Sequence, residues 1–180
     1  MSRTRVFIAC SLDGFIAGPD GDLSWLPQPP EDSADDYGWG AFISDIGCVL
    51  MGRATYDAVA AMDVAWPHGE RETLVATTRS LENAPPRVTS ACGTIEQLIE
   101  RASHRAAQKD IYLDGGDLIR QALACGLIDE LVVTLCPTIL GAGSPLFAGV
   151  EQRCSLQLSG LRELTGGLVQ LTYLTRPVES

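Results

Sequence analysis

Lysine and histidine are scarce in this sequence. Lys109 is the only lysine among 180 residues, and His68 and His104 are the only histidines. Any fixed positive site must therefore rest on arginine, the chain termini aside. The formal net charge of -10 opposes binding to nucleic acid or to an anionic membrane. The six cysteines, Cys10, Cys48, Cys92, Cys125, Cys136 and Cys154, form no C-x-x-C pair. With two histidines, that argues against a structural zinc site, and no metal is expected. Most of these cysteines sit in apolar runs, as core thiols do. They point to a reducing, cytoplasmic compartment. No apolar run approaches the roughly 20 residues that cross a bilayer. The segment Met1 to Ser11 lacks a long apolar region and a cleavage site, so it reads as a first strand rather than a signal peptide. There is no G-x-G-x-x-G, no P-loop, no H-E-x-x-H and no Ser–His–Asp signature.

What is present is a globular pattern. Hydrophobic residues make up 46% of the chain, enough for one domain over residues 1–180 with one core. Short β-rich runs predict strands over Arg5–Cys10, Cys48–Met51, Thr73–Thr78, Asp110–Leu113, Glu130–Cys136, Ser155–Leu161 and Leu168–Thr175. Between them, helices are expected over Tyr37–Ile46, Arg53–Met62, Ile95–Ala107 and Asp117–Cys125. Thr94 and Gln97 have capping-box spacing, and Gly126 suits a helix C′ position. Strands alternate with helices to about residue 128, and strands dominate afterwards. The expected fold is α/β: a three-layer α/β/α sandwich with a mixed, mostly parallel sheet and antiparallel C-terminal strands.

Four segments carry candidate chemistry. In Asp114-Gly115-Gly116-Asp117-Leu118-Ile119 a strand meets a glycine pair and then a helix. Glycine allows close backbone approach, and a helix N-terminus offers free N–H groups to phosphate. A tight strand-to-helix turn explains the same residues. In Gly52-Arg53-Ala54-Thr55 a second strand ends in glycine, and Arg53 opens the helix. Arginine opposes the helix dipole there, so either a ligand anion compensates it or water solvates it. Thr77-Thr78-Arg79 follows a third strand and can meet a phosphate such as the one that separates NADPH from NADH. Ser11 to Asp22, punctuated by Asp-Gly and Gly-Pro, reads as a mobile loop over a ligand, or as an ordinary connection. The acids Glu31, Asp32, Asp35 and Asp36 fall in a long loop. One of them can face a substrate, although acid runs in loops are commonly just solvated.

In this order, Ser11-Leu12-Asp13-Gly14, Met51-Gly52-Arg53-Ala54-Thr55-Tyr56, Asp114-Gly115-Gly116, Gly126-Leu127-Ile128-Asp129-Glu130-Leu131 and Pro137-Thr138-Ile139-Leu140-Gly141 resemble the dihydrofolate-reductase-like superfamily. Within it, the chain is similar to stand-alone relatives of the reductase domain of the riboflavin-biosynthesis deaminase–reductase. The resemblance implies an NADPH-dependent reductase of a small heterocyclic or imine-like molecule, homodimeric and cytoplasmic. It assigns Gly52, Arg53, Ala54 and Thr55 to the pyrophosphate, and Thr77, Thr78 and Arg79 to the adenosine 2′-phosphate. Asp114, Gly115, Gly116, Asp117, Leu118 and Ile119 would line the pyrophosphate and nicotinamide, and Ile16 and Gly21 the loop above it. Asp36, with Asp35 as its neighbouring alternative, takes the place of the acid that meets the substrate ring.

The departures bear on substrate. Riboflavin-pathway reductases carry a lysine where this chain has Phe7. The zinc deaminase half is absent, with no P-C-x-x-C anywhere in the chain. Three functions stay open: a reductase similar to 5-amino-6-(5-phosphoribosylamino)uracil reductase, a dihydrofolate (pteridine) reductase, and a nucleotide-binding module without reductase activity. The dimer expectation leaves Leu131 to Cys136 as either an interface strand or a buried central one.

Overall fold

A computed structural model of the chain describes residues 2–27, 36–62 and 64–175. Its centre is an eight-stranded sheet in the order β5-β4-β3-β6-β1-β7-β10-β9. The strands are β1 (Thr4–Ser11), β3 (Ile46–Gly52), β4 (Glu72–Ala76), β5 (Val88–Ala91), β6 (Asp110–Asp114), β7 (Glu130–Cys136), β9 (Gln157–Leu164) and β10 (Leu168–Leu174). From β5 to β7 all pairings are parallel. Strand β10 turns back antiparallel against β7, and β9 against β10. A separate two-stranded ribbon joins β2 (Phe15–Ala17) to β8 (Ser144–Pro145).

Side chains alternate across the strands, so each strand feeds both faces. On one face Val6, Leu50, Leu74, Ile111, Leu113 and Leu131 pack under α3 (Ile95–Arg105) and α4 (Gly116–Ala124). On the other, Val49, Met51, Val75 and Tyr112 pack under α1 (Trp39–Ser44) and α2 (Arg53–Ala60). The expected α/β class, with a mostly parallel mixed sheet and helices on both faces, is what the chain adopts. Helix α3 carries the full capping box, Thr94 accepting from Gln97 N–H while the Gln97 side chain accepts from Thr94 N–H.

The differences have local causes. Helix α1 starts at Trp39 rather than Tyr37, because Tyr37 (φ 58°) and Gly38 (φ 85°) are left-handed. Strand β5 was not expected. It has four residues, Thr89 and Ser90 are exposed, and it lies at the sheet edge behind Pro85-Pro86. Strand β7 lies between β1 and β10 and is largely buried, so Leu131 to Cys136 is a central strand and not an interface.

The Ser11–Asp22 segment is tied down rather than loose at its first half. Asp13 Oδ1 accepts from the Ser11 hydroxyl at 2.6 Å, and its carboxylate accepts from Leu140 N–H (3.1 Å) and Gly141 N–H (2.7 Å). These donors pull the Asp13 pKa down to about 2. Leu12 N–H donates to Thr138 O, and Leu146 N–H to Gly14 O. The Ser-Leu-Asp-Gly segment is thus a clasp that joins the ends of β1 and β7.

Candidate functional site

All six parallel strands end on one edge of the sheet, the edge where open α/β sheets bind ligands. There β3 passes into α2 through Gly52, and β6 into α4 through Gly115. Neither helix has a side-chain cap, so both present first-turn N–H groups to the same space. The two turns touch. A Cβ on Gly115 would lie 2.4 Å from Thr55 Oγ1 and 3.6 Å from the Gly52 nitrogen. Gly115 also has φ 94° and ψ 131°, a conformation open to glycine. A Cβ on Gly116 would lie 2.9 Å from both Ile16 Cδ1 and an Arg120 guanidinium nitrogen. Gly52, Thr55, Gly115, Gly116 and Ile16, expected separately from sequence, therefore meet at one place.

Other expected residues divide. Arg53 and Arg79 line one cleft of about 730 Å³ with Tyr56, Asp57, Ser80 and Glu82. Within it Arg53 bonds Asp57 at 2.7 Å and the Ser80 carbonyl at 3.2 Å. Thr77 Oγ1 accepts from Arg79 N–H at 3.1 Å, which shapes the turn above Thr78. Ala54 is an exposed first-turn residue and can offer only backbone. Asp117 pairs with Arg120. Leu118 and Ile119 turn into the core, 5% and 0% exposed. The Ile119 N–H is used by Gly115 O. Gly21 closes an exposed turn at φ 79°, with open space where a Cβ would stand.

The acids also separate. Asp35 lies outside the described residues. Asp36 accepts from Gly40 N–H at 2.6 Å and Gly38 N–H at 2.9 Å. These bonds hold its pKa below the ordinary value, so Asp36 is an ionised group at the start of α1 and poorly suited to give up a proton. Asp114 behaves in the opposite way. Burial raises its carboxyl pKa to about 6, against the pull of Gly115 N–H (2.8 Å) and the Tyr112 hydroxyl. The same burial, with Asp114 beside it, raises Tyr112, whose hydroxyl also reaches Phe7 O at 3.1 Å. Sequence alone presented Asp114 as a cofactor-lining residue, not as a proton carrier. Arg120 was missed as well: it donates to Pro145 O at 2.5 Å and so ties α4 to the β2–β8 ribbon.

Comparison with known proteins agrees with this architecture. The RibD C-terminal domain family matches residues 4–170, and the chain belongs to it. A crystal structure described as a putative riboflavin biosynthesis protein from Shewanella sp. PV-4 is 32% identical. It superposes with a TM-score of 0.86 and covers 97% of this chain and 99% of that one. The uncharacterized protein YwjB of Bacillus subtilis (strain 168) is 28% identical over 172 residues, covering 96% of this chain and 97% of its own. The Thermotoga maritima diaminohydroxyphosphoribosylaminopyrimidine deaminase/5-amino-6-(5-phosphoribosylamino)uracil reductase shares the fold. There the TM-score is 0.70 at 16% identity, over 97% of this chain and 57% of that one.

Proposed function

We propose that the chain is an NADPH-dependent reductase of a small heterocyclic or imine-like molecule, related in chemistry to the riboflavin-pathway uracil reductase. The observation that carries this reading is the contact of Gly115 with Thr55. It brings two uncapped helix N-termini together, with the Thr55 hydroxyl packed against Gly115. That cradle fits a pyrophosphate, which takes backbone N–H groups at short range. Arg53 and Arg79 on one cleft fit the 2′-phosphate, although Asp57 and Glu82 line the same cleft and a phosphate must compete with Asp57 for Arg53.

The cofactor, when bound, supplies a hydride. The protein's part is the proton that completes reduction of a C=N or C=O bond. Asp114 is suited to that part, because a carboxyl with a pKa of about 6 is populated in both forms near neutrality. Asp36, held as an anion, would orient an N–H-bearing edge of the substrate rather than protonate it. Six unpaired cysteines are consistent with a cytoplasmic setting. No helix among the described residues is long and apolar enough to cross a membrane.

Fluorescence titration with NADPH and NADH, repeated on Arg53→Ala and Arg79→Ala, tests the reading. Preferential NADPH binding that weakens in both variants supports it. Absence of binding by either nucleotide overturns it. Stoichiometric NADPH binding without oxidation across pteridine, pyrimidine and flavin substrates would reduce the chain to a nucleotide-binding module.

A further inference from the structure

Strand pairing sets three polar side chains in one row across the sheet. Thr134 on β7 stands beside Gln170 on β10, and Gln170 beside Arg162 on β9. The neighbouring row is apolar: Cys136, Leu168 and Leu164 cluster there with Trp25 and Tyr37. Thr134 and Gln170 are 5% and 4% exposed, a depth at which polar groups cost stability unless they are bonded. Gln170 uses both ends of its amide. Its Nε2 donates to Thr134 Oγ1 at 3.1 Å and to Tyr37 O at 3.0 Å, and its Oε1 accepts from Arg162 Nη1 at 3.3 Å.

Through the Tyr37 carbonyl the row reaches out of the sheet. Tyr37 and Gly38 are both left-handed, at φ 58° and 85°, and a tyrosine in that region needs its surroundings to hold it there. This turn carries Asp36 into α1, with Asp36 accepting from Gly38 N–H at 2.9 Å and from Gly40 N–H at 2.6 Å. The approach is tight on both sides. A Cβ on Gly38 would lie 2.8 Å from Arg162 Nη1, and one on Gly40 2.6 Å from Asp36 Oδ2. An all-apolar row would serve packing equally well, since replacing both partners of a buried hydrogen bond by apolar groups is nearly neutral. What the polar row adds is a fixed Tyr37 carbonyl.

We infer that Gln170 is a positioning residue: through Tyr37 O it locks the left-handed turn that aims the Asp36 carboxylate, while Thr134 and Arg162 fix the orientation of its amide. The acid is thus held by a residue 133 positions beyond Tyr37 in the chain. The inference rests on the reductase reading for what Asp36 faces, and adds the residue that sets its direction. The Gly52 and Gly115 turns belong to β3 and β6, which β1 and β7 separate from β10, so cofactor affinity is independent of the row.

The test uses the full chain. Gln170→Met keeps the length and removes the amide. The double variant Gln170→Met/Thr134→Val also removes the hydroxyl that Gln170 would leave unpaired, and stands in if the single variant does not fold. Thr134→Ser keeps the hydroxyl. Asp36 is followed through pH by carboxyl-carbon NMR, its signal assigned with Asp36→Asn, and backbone amides by hydrogen exchange. In the methionine variants the Asp36 titration should move up towards the ordinary carboxyl value, because the Gly40 and Gly38 N–H groups depress it most and the Arg162 charge least. Gly38 and Gly40 amides should exchange about ten-fold faster or more, while β7 amides keep their protection. Thr134→Ser should match wild type, and NADPH affinity should be the same in every variant. An unchanged Asp36 titration with unchanged Gly38 and Gly40 exchange overturns the inference, because the row is then packing alone. Uniformly faster exchange through β7 and β10 overturns it too, since Gln170 then holds the sheet rather than the turn, as does an equal loss of NADPH affinity. Wild-type protein that binds no NADPH removes the reductase reading, and the ligand-free titration and exchange still decide whether Gln170 holds the turn.

Discussion

Gly115 and Thr55 stand so close that no side chain fits between them. Gly115→Ala would place a methyl group 2.4 Å from Thr55 Oγ1, on a backbone whose φ of 94° an L-residue resists. The strain is about 1–3 kcal/mol. The expected result is a folded protein with a lower Tm and NADPH affinity reduced at least about ten-fold, since pushing Thr55 aside opens the cradle. Calorimetry with NADPH titration checks both. Unchanged affinity would mean that the contact is only a packing detail.

Arg53 and Arg79 differ in how they are held, and their variants should differ accordingly. Arg53 is tied to Asp57 and Ser80 O, whereas the Arg79 backbone is fixed by Thr77. Asp57→Asn releases Arg53 from its ion pair and removes a negative charge from the cleft. It should strengthen NADPH binding by a few-fold, about 0.5–1 kcal/mol, with the gain shrinking at high salt. Titration at low and high ionic strength decides the matter. A gain of equal size for NADH would remove the 2′-phosphate from this cleft.

Much of this arrangement was legible in the residues. Each strand-to-helix glycine turn announced itself, because glycine at a strand end has few other uses. That Gly115 meets Thr55 follows from the sheet order, with β3 beside β6, and no local pattern encodes it. The acids were the least legible. Asp36 looks reactive in sequence, yet two backbone N–H groups hold it ionised. Asp114 reads in sequence as a cofactor-lining residue, yet burial raises it to about 6 and makes it a proton carrier. His68 sits in a segment with loop-like composition, and its burial depends on α1 folding over it. Strand β5 escaped notice because an exposed edge strand needs little hydrophobic alternation.

The clasp at Asp13 predicts a local loss rather than a global one. Its depressed pKa means the clasp is complete above the ordinary carboxyl range and is lost as pH falls through about 2. Asp13→Ala removes the acceptor for Leu140 and Gly141 N–H at neutral pH. Amide exchange at those two positions should speed up about ten-fold or more, while core amides of β7 keep their protection. Uniformly faster exchange across β7 would show that the clasp holds the whole edge of the sheet.

The exposed end of the sheet bears on assembly, and we propose that the chain pairs with a second copy there. Among the described residues, helices α3 and α4 lie over β3, β4 and β6. Leu158 and Leu161 on β9 are 50% and 63% exposed, opposite Tyr173 and Leu171. An apolar edge of this kind is a liability unless something covers it. Leu161→Asp should convert a dimer into a monomer of 19.2 kDa by light scattering. A wild-type protein that is already monomeric at high concentration would end the proposal.

Asp114 gives the sharpest pH test. A carboxyl raised to about 6 binds its proton more tightly folded than unfolded. Its contribution to stability is therefore fully present below the ordinary carboxyl pKa, declines as pH rises, and is lost above about 6. Asp114→Asn cannot ionise, so it should raise Tm relative to wild type at pH 8 and change it little at pH 4. Activity should move the other way. Wild-type turnover that depends on the protonated carboxyl should fall as pH rises through about 6. The asparagine variant should be slower by about 100-fold or more and lose that pH step. A variant that keeps the step would assign the proton to another group, with Asp35 the first to substitute.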